Sequence, residues 1–102
     1  MVEEITNNGF DELIKSGTVV VDFFADWCMP CIMMAPVIDE LSEKIKDMKF
    51  AKVNVDDNQV LSKKFGVMSI PTIIVFKEGK EIDRITGSLP SEVLEEKLKV
   101  HV

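Results

Sequence analysis

Apolar residues recur along the chain with two different spacings, and these divide it into predicted helices and strands. Spacing of three and four residues predicts amphipathic helices at residues 6–16, 31–46, 59–65 and 91–100. Short apolar runs predict strands at residues 19–25, 50–55, 73–76 and 81–86, and a further short strand could form at residues 2–5. The first strand is apolar on both alternating sides, which is typical of a sheet covered on both faces.

The predicted helices each have a definite apolar face and a definite end. The side chains expected to be buried are Phe10, Leu13 and Ile14 in the first helix, Met34, Ile38, Leu41 and Ile45 in the second, and Val93, Leu94 and Leu98 in the last. Gly17 is expected to stop the first helix, and Pro36 to kink the second.

The order of these segments predicts an α/β fold. A strand, a helix and a strand open the chain as a βαβ unit with two parallel strands. Glu78 and Gly79 then predict a hairpin turn between two antiparallel strands, followed by a covering helix. We therefore expect one domain over residues 1–102, with a central mixed sheet and helices on both faces.

Charge and composition exclude several classes of partner. The chain has 18 acidic and 12 basic residues and a net charge of −6, which argues against binding to nucleic acid or to anionic membranes. No apolar run reaches the roughly 18–20 residues that a membrane-spanning helix needs. Residues 1–5 are acidic and lack the apolar core of a signal peptide. We expect a monomer in the cytoplasm.

Cys28 and Cys31 are the only cysteines, and they lie where the first predicted strand gives way to the long helix. Residues three apart in a first helical turn have Cα atoms about 5–6 Å apart, which suits a disulfide that opens and closes. Because a helix start stabilises a thiolate, we expect Cys28, at the exposed tip, to attack and Cys31 to resolve the mixed disulfide. Pro30 stiffens the loop.

A structural disulfide and a zinc site are two weaker interpretations of the cysteine pair, and both stay open. A purely structural disulfide would close too short a loop to remove much entropy from the unfolded chain. A zinc site needs about four ligands, and His101, near the end of the chain, is the only histidine. Thiol–disulfide chemistry is therefore the favoured interpretation, with no metal.

Asp22 is the second candidate, because it interrupts an otherwise apolar strand. Burial raises the pKa of a carboxyl group, and Asp22 lies six residues before Cys28 on the strand that leads to it. Our hypothesis is that Asp22 takes the proton of Cys31, with Lys52 on the next strand as its charge partner. The alternatives are an aspartate facing solvent at a sheet edge and an ordinary exposed lysine.

Pro71 stands at the head of a predicted inner strand, where a proline is unusual unless its peptide bond is cis. A cis turn would expose the backbone of Ile70, which could then pair with an extended peptide lying across the cysteines.

Nearly the whole chain resembles the thioredoxin family. The residues that carry the resemblance are residues 21–31, with Trp27-Cys28-Met29-Pro30-Cys31 at their end, then Ala35-Pro36, residues 51–56, residues 65–67, Ser69-Ile70-Pro71-Thr72, residues 76–79 and Gly87. The resemblance implies a cis Pro71, Asp22 as the buried carboxylate, Lys52 as its partner, and a groove for substrate proteins lined by Trp27, Ile70, Pro71 and Gly87.

The resemblance also implies a function: reduction of disulfides in substrate proteins by an electron carrier that a separate reductase recharges. No Gly-rich phosphate loop is present, so we expect no flavin, nicotinamide or other cofactor. Met29 replaces the family's usual glycine and would restrict the approach of substrate or make its path more apolar. Ile32 replaces the family's usual basic residue after the second cysteine. A glutaredoxin-like, oxidising or isomerase protein and a non-catalytic binding module of the same fold are the alternatives.

Overall fold

The computed structural model describes residues 2–102 as a five-stranded sheet with helices on both faces, and Met1 lies outside the described residues. The strands are β1 (Glu3–Glu4), β2 (Thr18–Phe24), β3 (Lys49–Asn54), β4 (Thr72–Lys77) and β5 (Lys80–Thr86). The helices are α1 (Asn7–Ile14), α2 (Met29–Lys44), α3 (Gln59–Lys64) and α4 (Ser91–Lys99). Each predicted helix and strand forms, and its ends lie within two residues of the predicted positions.

The sheet is mixed, as predicted, with the strand order β1-β3-β2-β4-β5. The strands β1 and β2 both pair with β3 in parallel, whereas β4 runs antiparallel to both β2 and β5. The predicted hairpin joins β4 to β5 through Glu78 and Gly79, which both have positive φ angles, of 50° and 86°. Two successive turn residues with positive φ give the turn a twist that matches the twist of the strands it joins.

The two faces of the sheet are packed differently. One face, which we call the aromatic face, is covered by α1 and α3 and contains the rings of Phe10, Phe23, Phe65 and Phe76. The other, the α2 face, is covered by α2 and α4 and is filled by side chains that include Val20, Met34, Ile38, Leu41, Ile73, Val75, Leu94 and Leu98. Side chains alternate along β2, so that Asp22 follows Val20 onto the α2 face.

The prediction that Val93 is buried was wrong. Leu94 and Leu98 lie four residues apart on α4 and are fully buried against the sheet, whereas Val93 is exposed. The short helix can bury only one narrow stripe, and Val93 lies about 100° around the helix from Leu94. Within residues 2–102, no helix is both long and apolar enough to cross a lipid bilayer.

Candidate active site

Cys28 and Cys31 form a disulfide at the start of α2, with their Cα atoms 5.2 Å apart. Cys28 is the residue that caps the helix: it has an extended backbone, and its sulfur accepts a hydrogen bond from the backbone N–H of Cys31 at 3.2 Å. Pro30 lies in the first helical turn, where its missing N–H leaves no helical hydrogen bond unmade. The sulfur of Cys28 thus occupies the place of a capping oxygen.

The prediction that Cys28 lies at an exposed tip was wrong for this disulfide form. Cys28 and Cys31 are each only 4% exposed. Ile70, from a distant part of the chain, packs against the buried cluster of Ala25, Cys28 and Cys31, and its backbone oxygen lies 3.8 Å from Cys28 Sγ. The surface around the pair is nevertheless apolar and open, because Trp27 and Met29 are largely exposed.

The peptide bond between Ile70 and Pro71 is cis, as the resemblance implied. The carbonyl of Pro71 accepts a hydrogen bond of 2.8 Å from the N–H of Gly87, so the turn after β5 lies against the turn before β4. Gly87 has a φ angle of 93°, which a residue with a side chain rarely adopts. The structure therefore brings Ile70 to the cysteines and Gly87 to Pro71.

Asp22 is buried on the central strand β2. A cavity of about 190 Å³ lies beside it, and the lining includes Asp22, Cys31 and Lys52. Within the described chain, Asp22 Oδ1 is a buried side-chain oxygen without a hydrogen-bond partner. Burial raises the pKa of Asp22 to about 7, although the nearby charge of Lys52 acts in the opposite direction.

Lys52 lies on β3 directly opposite Asp22 in the parallel register. It is half-buried, and its ammonium nitrogen also lies 5.6 Å from the centre of the Phe24 ring. The alternative of an ordinary exposed lysine does not fit this position, and neither does a solvent-facing Asp22. The two residues face the same cavity as Cys31.

Hydrogen bonds around Trp27 are the part of the site that sequence reasoning missed. The indole N–H of Trp27 donates to Asp56 Oδ2 at 2.8 Å. Asn54 Oδ1 accepts the backbone N–H of Asp56 at 2.9 Å, and its side-chain amide donates to Asp26 at 3.4 Å. The signal for this network is an asparagine at the end of an apolar strand, two residues before an aspartate. Asn54 thus ties the loop before α2 to the loop after β3.

A disulfide at a helix start, with a buried carboxyl group in the same site, can accept two electrons from a dithiol, and the dithiol so formed can give two electrons to another disulfide. In the described part of the chain, no three His, Cys, Asp or Glu side chains are grouped to hold a metal ion.

Comparison with known proteins gives consistent matches. The Thioredoxin family model matches residues 1–100. The thioredoxin of Staphylococcus haemolyticus is 45% identical over 102 residues, covering 99% of this chain and 98% of that protein, and that of Bacillus subtilis is 40% identical with the same coverage. A solved Plasmodium falciparum thioredoxin has a TM-score of 0.93 and 33% identity, covering 99% of this chain and all of that one. The chain therefore belongs to the thioredoxin family and is a thiol–disulfide oxidoreductase that reduces protein disulfides.

Proposed function

We propose that Cys28 and Cys31 carry this reaction with different roles. The thiolate of Cys28 attacks a disulfide of the substrate protein, and a mixed disulfide forms as the first substrate thiolate leaves. Cys31, once deprotonated, attacks the sulfur of Cys28, and the second substrate thiolate leaves. The substrate gains two electrons, the protein's dithiol loses two, and the Cys28–Cys31 disulfide is formed.

The role of Cys28 is supported by its place as the cap of a 16-residue helix. Negative charge on its sulfur is favoured by the helix dipole and by the N–H of Cys31, which points at Sγ from 3.2 Å. Cys31 lies one turn further into the helix, so its own sulfur lacks the capping position. Since the thiolate is the attacking species, the asymmetry of the two sites favours Cys28 as the nucleophile.

We propose that Asp22 acts as the proton acceptor for Cys31. The two side chains line one cavity, which can hold the water that would relay a proton between them. A carboxyl group with a pKa of about 7 can both accept and release a proton near neutral pH. In this proposal, the positive charge of Lys52 stabilises the ionised form of Asp22.

We propose that the substrate's chain binds across the disulfide in a groove lined by Trp27, Met29, Pro30, Ile70, Pro71 and Gly87. The proposal is supported by the exposed surfaces of Trp27 and Met29 and by the position of Ile70 against Cys28. The backbone of Ile70 could form the hydrogen bonds of a short added strand. Pro30 would keep the loop rigid as the disulfide opens.

The partners that fit this cycle are disulfide-containing proteins on one side and a dedicated reductase on the other. Residues 1–102 would act alone as one domain, as a monomer and without a cofactor. We propose the cytoplasm as the compartment, because thiols are kept reduced there and a reducing carrier can be recharged.

The observation that carries these roles is the hydrogen bond from the Cys31 N–H to Cys28 Sγ, together with the cavity that Cys31 shares with Asp22. The test is trapping with a disulfide-containing substrate, read by mass spectrometry. Cys31→Ser should accumulate a stable mixed disulfide through Cys28, and Cys28→Ser should accumulate none. A covalent adduct on Cys31 in the Cys28→Ser variant, at an equal rate, would reverse the assignment.

An oxidising or isomerase role is the second candidate, because Met29 and Ile32 leave the surface around the disulfide apolar. The reduction potential, measured by equilibration against thiol/disulfide buffers, separates the two functions. A value well below the cytosolic glutathione poise of about −220 to −260 mV supports the reductant. A value near or above that poise supports the oxidant or isomerase.

A further inference from the structure

The first half of α2 is apolar on two sides, and the protein buries only one of them. The buried side carries Cys31, Met34 and Ile38. The other side presents an exposed row at helical spacing, which we call the methionine face, made of Met29, Ile32, Met33 and Pro36. Met29, Ile32 and Met33 are 63%, 50% and 70% exposed. A contiguous apolar row beside a reaction centre indicates a contact surface for another molecule.

The methionine face has an acidic border. Ile32 lines the cavity beside Asp22, and the same lining includes Asp26 and Asp39, which are both exposed. Three carboxyl groups therefore line this cavity, against the single positive charge of Lys52. One of these carboxyl groups, that of Asp22, also has a buried oxygen, Oδ1, that lacks a hydrogen-bond donor. The mouth of the cavity thus favours a cationic group from outside the chain.

The length of the methionine face limits the shape of its occupant. From residue 29 to residue 36 the helix rises about 10 Å, or two turns. Two turns of a second helix can lay an apolar row along such a surface, with side chains fitting between those of α2. Methionine side chains are flexible and polarisable, so the same face can adapt to more than one partner.

We propose that the methionine face docks a helical segment of a partner protein that has an apolar row flanked by lysine or arginine. One basic side chain of that segment would lie at the cavity mouth, between Asp26 and Asp39. The inference rests on the proposed function, because the partner must bring its disulfide or dithiol to Cys28. It extends the contact surface along α2 beyond Met29, the one residue that the methionine face shares with the proposed groove.

The test uses two defined peptides and the oxidised protein, so that no chemistry is needed for binding. Both peptides are about 14 residues long, helical and free of cysteine and tryptophan. One has leucine at helical spacings of three and four residues with lysine at the other positions, and its acidic counterpart has glutamate in place of each lysine. Calorimetry should show the leucine–lysine peptide binding at least tenfold more tightly than its acidic counterpart. Asp39→Lys should remove most of this preference.

Met33→Glu and Val60→Glu form a matched pair, because each adds one negative charge at an exposed apolar position. Val60 lies on α3, on the opposite face of the sheet. Met33→Glu should weaken binding of the leucine–lysine peptide at least fivefold, although its added charge attracts the peptide. Val60→Glu should bind it as tightly as the unchanged protein or slightly more tightly.

Three outcomes would overturn the proposal: no binding of the leucine–lysine peptide below about 1 mM, equal effects of the two glutamate variants, or a dimer in ultracentrifugation that Met33→Glu dissociates. The last would mean that a second copy occupies the face. Reduction of the small disulfide dithionitrobenzoate by the reduced protein reports on the cysteines alone. Failure of that reaction would count against the proposed function, and failure of peptide binding only against the docking site.

Discussion

The aromatic face and the α2 face of the sheet share the same strands but differ in packing and in the chemical groups they contain. On the aromatic face, Phe10, Phe65 and Phe76 pack with ring centres 5.2–5.5 Å apart in tilted and edge-on contacts. The α2 face carries a buried carboxyl group, a cavity and the redox disulfide. Close aromatic packing stabilises a fold, whereas a cavity and a desolvated carboxyl group destabilise it.

A single strand supplies both environments. In β2, Val19, Val21 and Phe23 belong to the aromatic face, whereas Val20 and Asp22 belong to the α2 face. The comparison teaches that one face of the sheet keeps a complete core, so that the other face can contain a reactive site. Substitutions on the aromatic face should therefore change stability without changing the chemistry, whereas substitution of the buried Asp22 should change both.

The largest effect is expected from Cys28→Ser, which removes the nucleophile but almost no volume. Reduction of a protein disulfide should fall by at least about a thousandfold, equivalent to roughly 4 kcal/mol of transition-state stabilisation. Denaturant unfolding of the variant should match that of the reduced unchanged protein to within about 1 kcal/mol. A variant that keeps a tenth of the activity would contradict the role of Cys28.

Phe76→Ala should affect the other face about as strongly, but only in stability. Removing a fully buried ring that contacts Phe10 and Phe65 should lower the free energy of unfolding by about 3–5 kcal/mol. The folded fraction should still reduce dithionitrobenzoate at the rate of the unchanged protein. If Phe76→Ala does not fold, Phe76→Leu gives the same comparison with a smaller loss. A slower reaction in folded protein would show that the faces are coupled.

Asp22→Asn should stabilise the protein, and the gain should depend on pH. Burial raises the pKa of Asp22 from 3.8 to about 7, so the folded state keeps a proton that the unfolded state releases. Stability should therefore fall as pH rises from about 4 to about 7, by up to roughly 4 kcal/mol, and then level off. Asn cannot ionise, so denaturant unfolding of the variant should lack this slope.

The same substitution should slow the resolving step, because the proposed proton acceptor is lost. The decay of the mixed disulfide at pH 7, followed by rapid quenching, should be at least about tenfold slower. Asp39→Asn, which removes a carboxyl group from the same cavity lining but leaves Asp22 in place, is the control. An unchanged decay rate in Asp22→Asn would exclude Asp22 as the acceptor.

The smallest effect is expected from Asp56→Leu, which removes the acceptor of the Trp27 indole N–H. The lost hydrogen bond to a charged group should cost about 1–2 kcal/mol, divided between stability and the affinity for protein substrates. Asp56→Asn keeps an acceptor oxygen and should lose less than half as much. The measurements are denaturant unfolding and KM for a protein disulfide. Equal losses in both variants would show that charge, not the hydrogen bond, is what matters at this position.

The sequence predicted most of this fold because apolar spacing is a local property. Residues three or four apart define the buried stripe of α2, and the positions of Glu78 and Gly79 define the hairpin. The cis bond before Pro71 had only a weak local signal, the position of that proline at the head of an inner strand, and the resemblance was needed to predict it. Val93 was assigned to the core because apolar character alone does not say which stripe of a short helix faces the sheet.

Contacts between distant residues could not be predicted in this way. Cys28 is buried because Ile70, 42 residues further along the chain, packs over it. The bond between Trp27 and Asp56 joins two loops 29 residues apart. Both contacts depend on how β2, β3 and β4 lie side by side. The order of the elements suggests this arrangement, but only the positions of individual side chains decide which residues meet.

The two edge strands of the sheet also affect how easily this protein pairs with strands of other proteins. The unpaired backbone at one edge belongs to β1, which is only two residues long and consists of Glu3 and Glu4, both exposed. The other edge is β5, which begins with the exposed Lys80 and Glu81. Short or charged edges resist pairing with foreign strands. A protein that repeatedly contacts the disulfide-bearing proteins it reduces can thus do so with little risk of adding their strands to its own sheet.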